Sequence, residues 1–167
     1  MYRIRGILLC TTILVLGCKK LQLTRATEKG AHTFSCIVDG KVFKPDKASL
    51  FGGPPLYASA HRNSLSINAF KSGKTGFEGM RVRIYIGNIT GAGTYSLNQD
   101  QSYASYKLNY QGGAHYETNR SYGGSITVTR YDTLANIYSG KFEFTALDTA
   151  SGKVIKIKSG RFDVKDQ

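Results

Sequence analysis

The chain has 167 residues, 41% of them hydrophobic, with 23 Lys and Arg against 11 Asp and Glu. This length suits one domain with a real core rather than two. The formal charge of +12 does not by itself identify a nucleic-acid partner, because anionic lipid attracts the same charge.

The first seventeen residues have the pattern of an export signal. Arg3 and Arg5 precede a short apolar run, and Gly17 stands directly before Cys18. The run is too short to cross a membrane, so we expect a cleaved signal peptide over residues 1–17. The pattern resembles a bacterial lipobox, which implies that Cys18 carries a diacylglyceryl group. An ordinary signal peptide that happens to precede a cysteine is the alternative.

Residues 18–31 are then a lipidated, flexible basic tether, since two acyl chains hold a protein firmly on a membrane. Removal of Arg3 and Arg5 leaves 21 Lys and Arg against 11 acids, a balance of +10. Lys19 follows Cys18, and no acidic run comes after it. By resemblance to the sorting rules of diderm bacteria, this implies the outer membrane, at its periplasmic face, with the cell surface as the alternative.

The remaining residues, 32–167, form the predicted β domain, which opens with a hairpin. Asp39-Gly40 separates two β-rich runs, and this dipeptide favours a two-residue turn. Pairing across the turn places Cys36 opposite Phe43. We therefore expect Cys36 to be a small buried side chain rather than a reactive thiol. Once Cys10 is removed and Cys18 is lipidated, Cys36 is the remaining thiol, so no intrachain disulfide is expected.

Alternating apolar and polar residues predict further half-buried strands. A tight turn at Ser159-Gly160 is predicted between the last two strands. The fold class expected is all-β, an antiparallel β-sandwich or open β-barrel that is mostly a meander of about eight to ten strands. The clearest runs are 64–70, 80–86, 125–130, 141–146, 153–158 and 160–164.

Seven tyrosines fall between residues 95 and 131, interleaved with Asn and Gln. Aromatic rings beside amides are typical of sugar-binding surfaces, and tyrosine is equally typical of strands with one exposed face. Both interpretations stay open. The candidate ligand face consists of Tyr103, Tyr106, Tyr110 and Tyr116.

No motif for catalysis, a metal or a cofactor stands out. The three histidines and the acids are scattered, and Ser72-Gly73-Lys74 lacks the earlier glycine of a phosphate loop. Arg81 and Arg83 beside Tyr85 are explained by a solvated strand face, so no nucleic acid is expected. We expect a protein that is not an enzyme. A glycan hydrolase whose acids meet only in the fold, for example Glu78 with Glu117, is the alternative.

Two tripeptides, Asp132-Thr133-Leu134 and Asp148-Thr149-Ala150, resemble the acceptor of the general O-glycosylation system of Bacteroidetes-type bacteria. Both lie in predicted turns. They predict O-glycosylation at Thr133 and Thr149.

The strand and turn motifs together resemble an uncharacterised family of Bacteroidetes-type lipoproteins, classed as a domain of unknown function. This resemblance implies an all-β, lipid-anchored envelope protein without known activity. The anchor, the β core and the lack of catalytic motifs lead us to expect a domain that is structural or binds a glycan or an envelope protein. A glycan-binding or glycan-active accessory protein and a carrier of small apolar ligands are the alternatives, and the oligomeric state is open. The matching segments are 34–43, 91–95, 124–128, 139–146 and 159–164.

Overall fold

The computed structural model describes residues 22–46, 53–73, 79–109 and 112–166. The predicted signal peptide 1–17, the lipidation site Cys18, Glu78 and Tyr110 lie outside them. Within the described ranges no helix is long and apolar enough to cross a membrane.

The described residues form eleven β-strands, and every pairing between them is antiparallel, which confirms the predicted all-β class. The number slightly exceeds the predicted eight to ten, and two of the strands, β2 and β8, have only three residues. The strands are β1 (Thr33–Val38), β2 (Lys41–Phe43), β3 (Leu56–His61), β4 (Ser64–Ser72), β5 (Gly79–Gly87), β6 (Gly93–Leu97), β7 (Ser102–Leu108), β8 (His115–Glu117), β9 (Gly124–Asp132), β10 (Ile137–Asp148) and β11 (Lys153–Lys165).

The strands make one curled sheet, a half-barrel, in the order β2-β1-β11-β10-β8-β7-β5-β4-β3. β10 lies at its centre, because it pairs with β11 along one edge and with both β9 and β8 along the other. β9 also pairs with β6. The far strand β3 curls back to the start of the sheet, where the Ala60 N–H donates to Asp166 Oδ2 at 2.9 Å and His32 Nε2 lies 3.0 Å from the Leu56 carbonyl oxygen.

The first hairpin is the one predicted. Asp39 and Gly40 have φ angles of 43° and 80°, and Cys36 pairs with Phe43. The Cys36 side chain is fully buried, and burial raises the pKa of its thiol to about 12. Cys36 is therefore a packing residue, as expected.

The inward-facing residues of the strands fill a common core. The rings of Phe34 and Phe142 pack with centroids 5.2 Å apart, and Phe162 lies 6.5 Å from Phe142. At Ser159-Gly160, where the sequence predicts a turn, the chain instead continues as one strand through a bulge opposite Phe142–Phe144. A Cβ on residue 160 would lie 2.5 Å from the Phe142 ring, so only glycine fits there.

Residues 22–31, which we call the strap, run along the outer face of β1, β11 and β10. Thr24 Oγ1 lies 2.8 Å from Ser35 Oγ, and Arg161 Nη1 donates to the Thr24 carbonyl at 2.9 Å. Arg130 Nη1 donates to the Glu28 carbonyl. The described part of the segment assigned to the tether is therefore hydrogen-bonded to the domain.

The strap ends on a buried carboxylate, Asp163, which is 1% exposed. Asp163 accepts five hydrogen bonds, of which four come from the strap and one from Ser139 Oγ at 2.8 Å. The four strap donors are Thr27 Oγ1 at 2.5 Å and the backbone N–H groups of Lys29, Gly30 and Ala31 at 3.1, 2.8 and 3.1 Å.

Candidate functional site

Two neighbouring grooves at one end of the half-barrel gather many of the amide side chains of the tyrosine-rich segment. We call them the amide grooves. Asp100 lines both. The first encloses about 370 Å³ and is lined by Gly87, Asn88, Thr94, Tyr95, Ser96, Asn98, Asp100, Gln101 and Ser102. The second encloses about 550 Å³ and is lined by Gln99, Asp100, Asn119, Arg120, Ser121, Tyr122 and Leu147.

Tight turns place these side chains. In the β6–β7 turn, the N–H groups of Asn98 and Gln99 both donate to the Ser102 carbonyl, at 3.1 and 3.0 Å. In the β8–β9 turn, Asn119 Oδ1 accepts the N–H groups of Ser121 and Tyr122, each at 2.8 Å. These bonds satisfy local backbone groups, so the remaining side chains of both turns are left on the surface.

Tyr95 forms a fixed wall of the first groove. Its hydroxyl donates to the Gly91 carbonyl at 2.7 Å, and its half-buried ring packs against the core. The Thr90 N–H approaches the same hydroxyl at 3.4 Å. Tyr95 therefore holds the β5–β6 loop in place, and its hydroxyl is already used within the protein.

The polar groups of the grooves are partly paired and partly free. Asn88 Nδ2 donates to Gln101 Oε1 at 2.8 Å, and Arg120 Nη2 lies 3.2 Å from Asp100 Oδ1 in an exposed ion pair. The side-chain amides of Asn98 and Gln99 have no hydrogen bond to any residue that the structure describes. Each such amide offers both donors and an acceptor, which suits a ligand that carries hydroxyl groups.

The four tyrosines proposed as a ligand face do not share a surface. Tyr103 lies on the outer face of β7, whereas Tyr106 and Tyr116 lie inside the core at 4% and 8% exposure, with ring centroids 6.2 Å apart. Burial raises the pKa of Tyr106 to about 12. The physical reason is strand alternation, because residues three apart point to opposite faces. Tyr110 lies outside the described residues.

Tyr103 instead packs with Arg83 and Tyr85 of β5, and together they form a basic aromatic stripe on β5 and β7. Its ring lies 5.4 Å from that of Tyr85, and the Arg83 guanidinium carbon lies 5.5 Å from the Tyr103 ring centroid. The guanidinium group lies over a ring face that a sugar would otherwise contact. The stripe therefore packs on itself, and the amide grooves are the better candidate site.

The proposed glycosylation residues are on the surface, since Thr133 and Thr149 are exposed in the turns that follow β9 and β10. The preceding aspartates close those turns. Asp132 Oδ1 accepts the Leu134 and Ala135 N–H groups, and Asp148 accepts the Ala150 N–H and the Ser151 hydroxyl. Glycosylation stays a prediction, and the aspartates have a structural role in any case.

Acidic side chains are sparse at the site. Asp100 is the one carboxylate among the residues that line the amide grooves, and it is paired with Arg120. Glu117, on β8, lies 4.0 Å from His115 Nε2. In the described portion of the chain, no group of three His, Cys, Asp or Glu side chains is placed to hold a metal ion.

Comparison with known proteins identifies a family but no individual relative. The family model named domain of unknown function DUF6252 matches residues 34–164, which covers β1 to β11 almost completely. No curated protein and no solved structure matches the chain.

Proposed function

We propose that this chain, which belongs to the DUF6252 family, is a lipid-anchored envelope protein whose β domain acts by binding rather than by catalysis. The family carries no assigned activity, so the proposal is built from the residues. It has two parts, an anchor at Cys18 and a binding site at the amide grooves.

The anchor is supported by the signal-like residues 1–17 and by Gly17 directly before Cys18. Labelling of expressing cells with radioactive palmitate tests it. We expect the wild-type protein to be labelled and the Cys18→Ala variant to be unlabelled and of higher mass. Equal label on both proteins, or none on either, would refute the anchor.

The binding site is carried by one observation: the amides of Asn98 and Gln99 have no hydrogen-bond partner among the described residues, and each lines a groove with a half-buried tyrosine, Tyr95 in the first and Tyr122 in the second. Binding sites take their specificity from a small number of convergent polar groups on a fixed frame. The hydroxyls of a glycan match these amides in both donor and acceptor capacity. We therefore propose a glycan as the ligand.

Two other functions receive less support. A hydrolase of the usual kind needs two carboxyl groups roughly 5 to 10 Å apart. Among the described residues that line the grooves, Asp100 is the one carboxylate, and it is paired with Arg120. A carrier of apolar ligands needs an empty interior. In the described part of the chain that interior contains the packed rings of Phe34, Phe142 and Phe162.

A glycan array probed with the purified protein tests the binding site. We expect the Asn98→Ala, Gln99→Ala double variant to weaken binding of any positive glycan at least about tenfold, since each lost hydrogen bond contributes about 1 kcal/mol. Ser59→Ala is the matched control, because Ser59 is a half-buried polar residue on β3, outside the grooves. No bound glycan, or equal binding by the double variant, would refute this part.

A further inference from the structure

A patch of four cations covers the outer face of β10 and β11. Arg161 pairs with Lys141 across the two strands, and Lys156 and Lys158 follow on the same face of β11. All three lysines are exposed. We call these four residues the basic face. Two shallow grooves of about 380 and 330 Å³ run between them.

Few acidic side chains neutralise the positive charge of the basic face. Among the described residues, ion pairs join His115 to Glu117, Arg120 to Asp100 and Arg130 to Asp132, and none involves a cation of this face. Glu143 is the acid that lines both of its grooves. The patch therefore keeps a net positive charge toward the solvent.

The strap connects the basic face to the predicted anchor, because it is hydrogen-bonded to that face and lies close to Cys18 in the chain. Arg161 belongs to the basic face and also holds the strap through the Thr24 carbonyl at 2.9 Å. The described chain begins at Gln22, two residues before that contact. Four residues, 18–21, separate Gln22 from the start of the mature chain, and they span at most about 15 Å at roughly 3.6 Å per residue.

We propose that the basic face is a membrane-facing surface, which the strap holds against the anionic head groups of the bilayer that carries the anchor. The proposal rests on the lipid anchor of the proposed function. It adds that the domain has a fixed orientation on the membrane. The occupant of this surface is the lipid bilayer itself.

Electrostatics makes the orientation measurable. Each Lys or Arg close to an anionic membrane surface contributes about a fivefold factor to its affinity for that surface, and the attraction decays over about 8 Å at physiological salt. The short link from the anchor keeps the basic face within reach. Some molecules have the basic face against the membrane and the rest have other orientations. Removing three lysines is therefore expected to lower the ratio of the first group to the second about 100-fold.

The test uses the full lipidated chain reconstituted in phosphatidylcholine vesicles with or without phosphatidylglycerol. A fluorophore is attached at Ser125→Cys, in the groove between Lys141 and Arg161, or at Ser59→Cys on β3 as the control reporter. Cys36 stays unlabelled because it is buried. Quenching by head-group-labelled lipid then reports how close each reporter lies to the membrane.

We expect strong quenching at residue 125 and weak quenching at residue 59 in anionic vesicles, with the difference lost in 1 M salt. The variant K141Q/K156Q/K158Q should abolish the difference. The control R62Q/R81Q/K107Q, which removes three cations elsewhere, should retain it. Circular dichroism checks that both variants are folded.

Equal quenching at both reporters, or a difference that survives both 1 M salt and the lysine variant, would overturn the orientation. Flotation of the protein with the vesicles in 1 M salt reports the anchor separately. Loss of flotation would refute the anchor, and the orientation with it. Flotation without differential quenching would refute the orientation alone.

Discussion

Two polar clusters, one under the strap on the outer face of the sheet and one at an end of the half-barrel, differ in whether the protein itself supplies their hydrogen-bond partners. Under the strap, Asp163 is buried and accepts five hydrogen bonds from the protein itself. In the amide grooves, Asp100 and Gln99 are exposed, and the Gln99 amide has no partner among the described residues. A cluster that the protein satisfies internally stabilises it, whereas one left open to solvent is available to a ligand.

The difference follows from the cost of burying charge. An ionised carboxylate is tolerated away from water only when hydrogen bonds replace its hydration. The strap supplies four donors to Asp163 and also contacts Ser35, and both Ser35 and Ser139 are fully buried. The Asp100 carboxylate is exposed to solvent and stays hydrated, so it does not need hydrogen-bond donors from the protein. Mutations at the two aspartates should therefore have very different effects on stability.

The largest effect is expected from Asp163→Ala. The change leaves the donors of the strap and Ser139 without an acceptor, and we expect a loss of about 3 kcal/mol in the free energy of unfolding. Asp100→Ala is the matched control, with an expected loss below about 1 kcal/mol, because its ion pair is exposed. Urea unfolding of both variants measures the difference. Equal losses would show that the strap contributes little.

Lowering the pH should reproduce part of the loss of stability that is expected from Asp163→Ala. Burial disfavours the charged form of Asp163, but the hydrogen bonds from Thr27, Ala31, Ser139 and Gly30 outweigh it and hold its pKa below the ordinary value. The ionised form is thus favoured in the folded state. The resulting stabilisation is complete above the unfolded-state pKa of about 3.8 and is lost as the pH falls through the lower folded-state pKa.

The measurement is urea unfolding of the wild type and Asp163→Asn between pH 7 and pH 2. We expect the gap in the free energy of unfolding between them to narrow below about pH 4. A gap that stays constant over this range would show that the charge of Asp163 contributes nothing. Asp100→Asn serves as the control, because it removes an exposed carboxylate.

Local patterns predicted the first hairpin and the alternating strands. The Asp39-Gly40 turn depends on adjacent residues, and the predicted alternation matches the observed burial from Ser64 to Ala69. Phe70 departs from it, since it is buried directly after the buried Ala69. The same alternation rule separates Tyr103 from Tyr106, so the tyrosine face could have been rejected from the sequence by applying that rule. The bulge at Ser159 was missed because Ser-Gly is equally suited to a turn.

The strap cluster and the amide grooves could not be predicted in the same way. Asp163 lies 136 positions after Thr27, and in the sequence it has the pattern of an ordinary outward strand residue. The grooves combine side chains from three separate turns, including Asn88, Gln101 and Asn119. Such contacts depend on how the sheet curls, which the periodicity of single strands does not specify.

A smaller effect is expected from Ser139→Ala. Ser139 is fully buried and donates to Asp163 Oδ1 at 2.8 Å, so its loss removes one of five hydrogen bonds to a charge. We expect about 1.5 kcal/mol of destabilisation, and almost none for Ser121→Ala in the amide grooves, where the side chain is exposed. Thermal unfolding of the two variants compares them directly. A large loss for Ser121→Ala would contradict the view that the grooves are not needed for stability.

A similarly small effect on stability is expected from Arg120→Ala in the second amide groove. Its guanidinium lies 3.2 Å from Asp100, with side chains 85% and 56% exposed, and pairs of this kind contribute at most about 1 kcal/mol. The change frees Asp100 to accept a hydrogen bond from a ligand. We therefore expect an unfolding midpoint close to that of the wild type, together with an altered glycan-array profile, since only the open cluster has polar groups to spare.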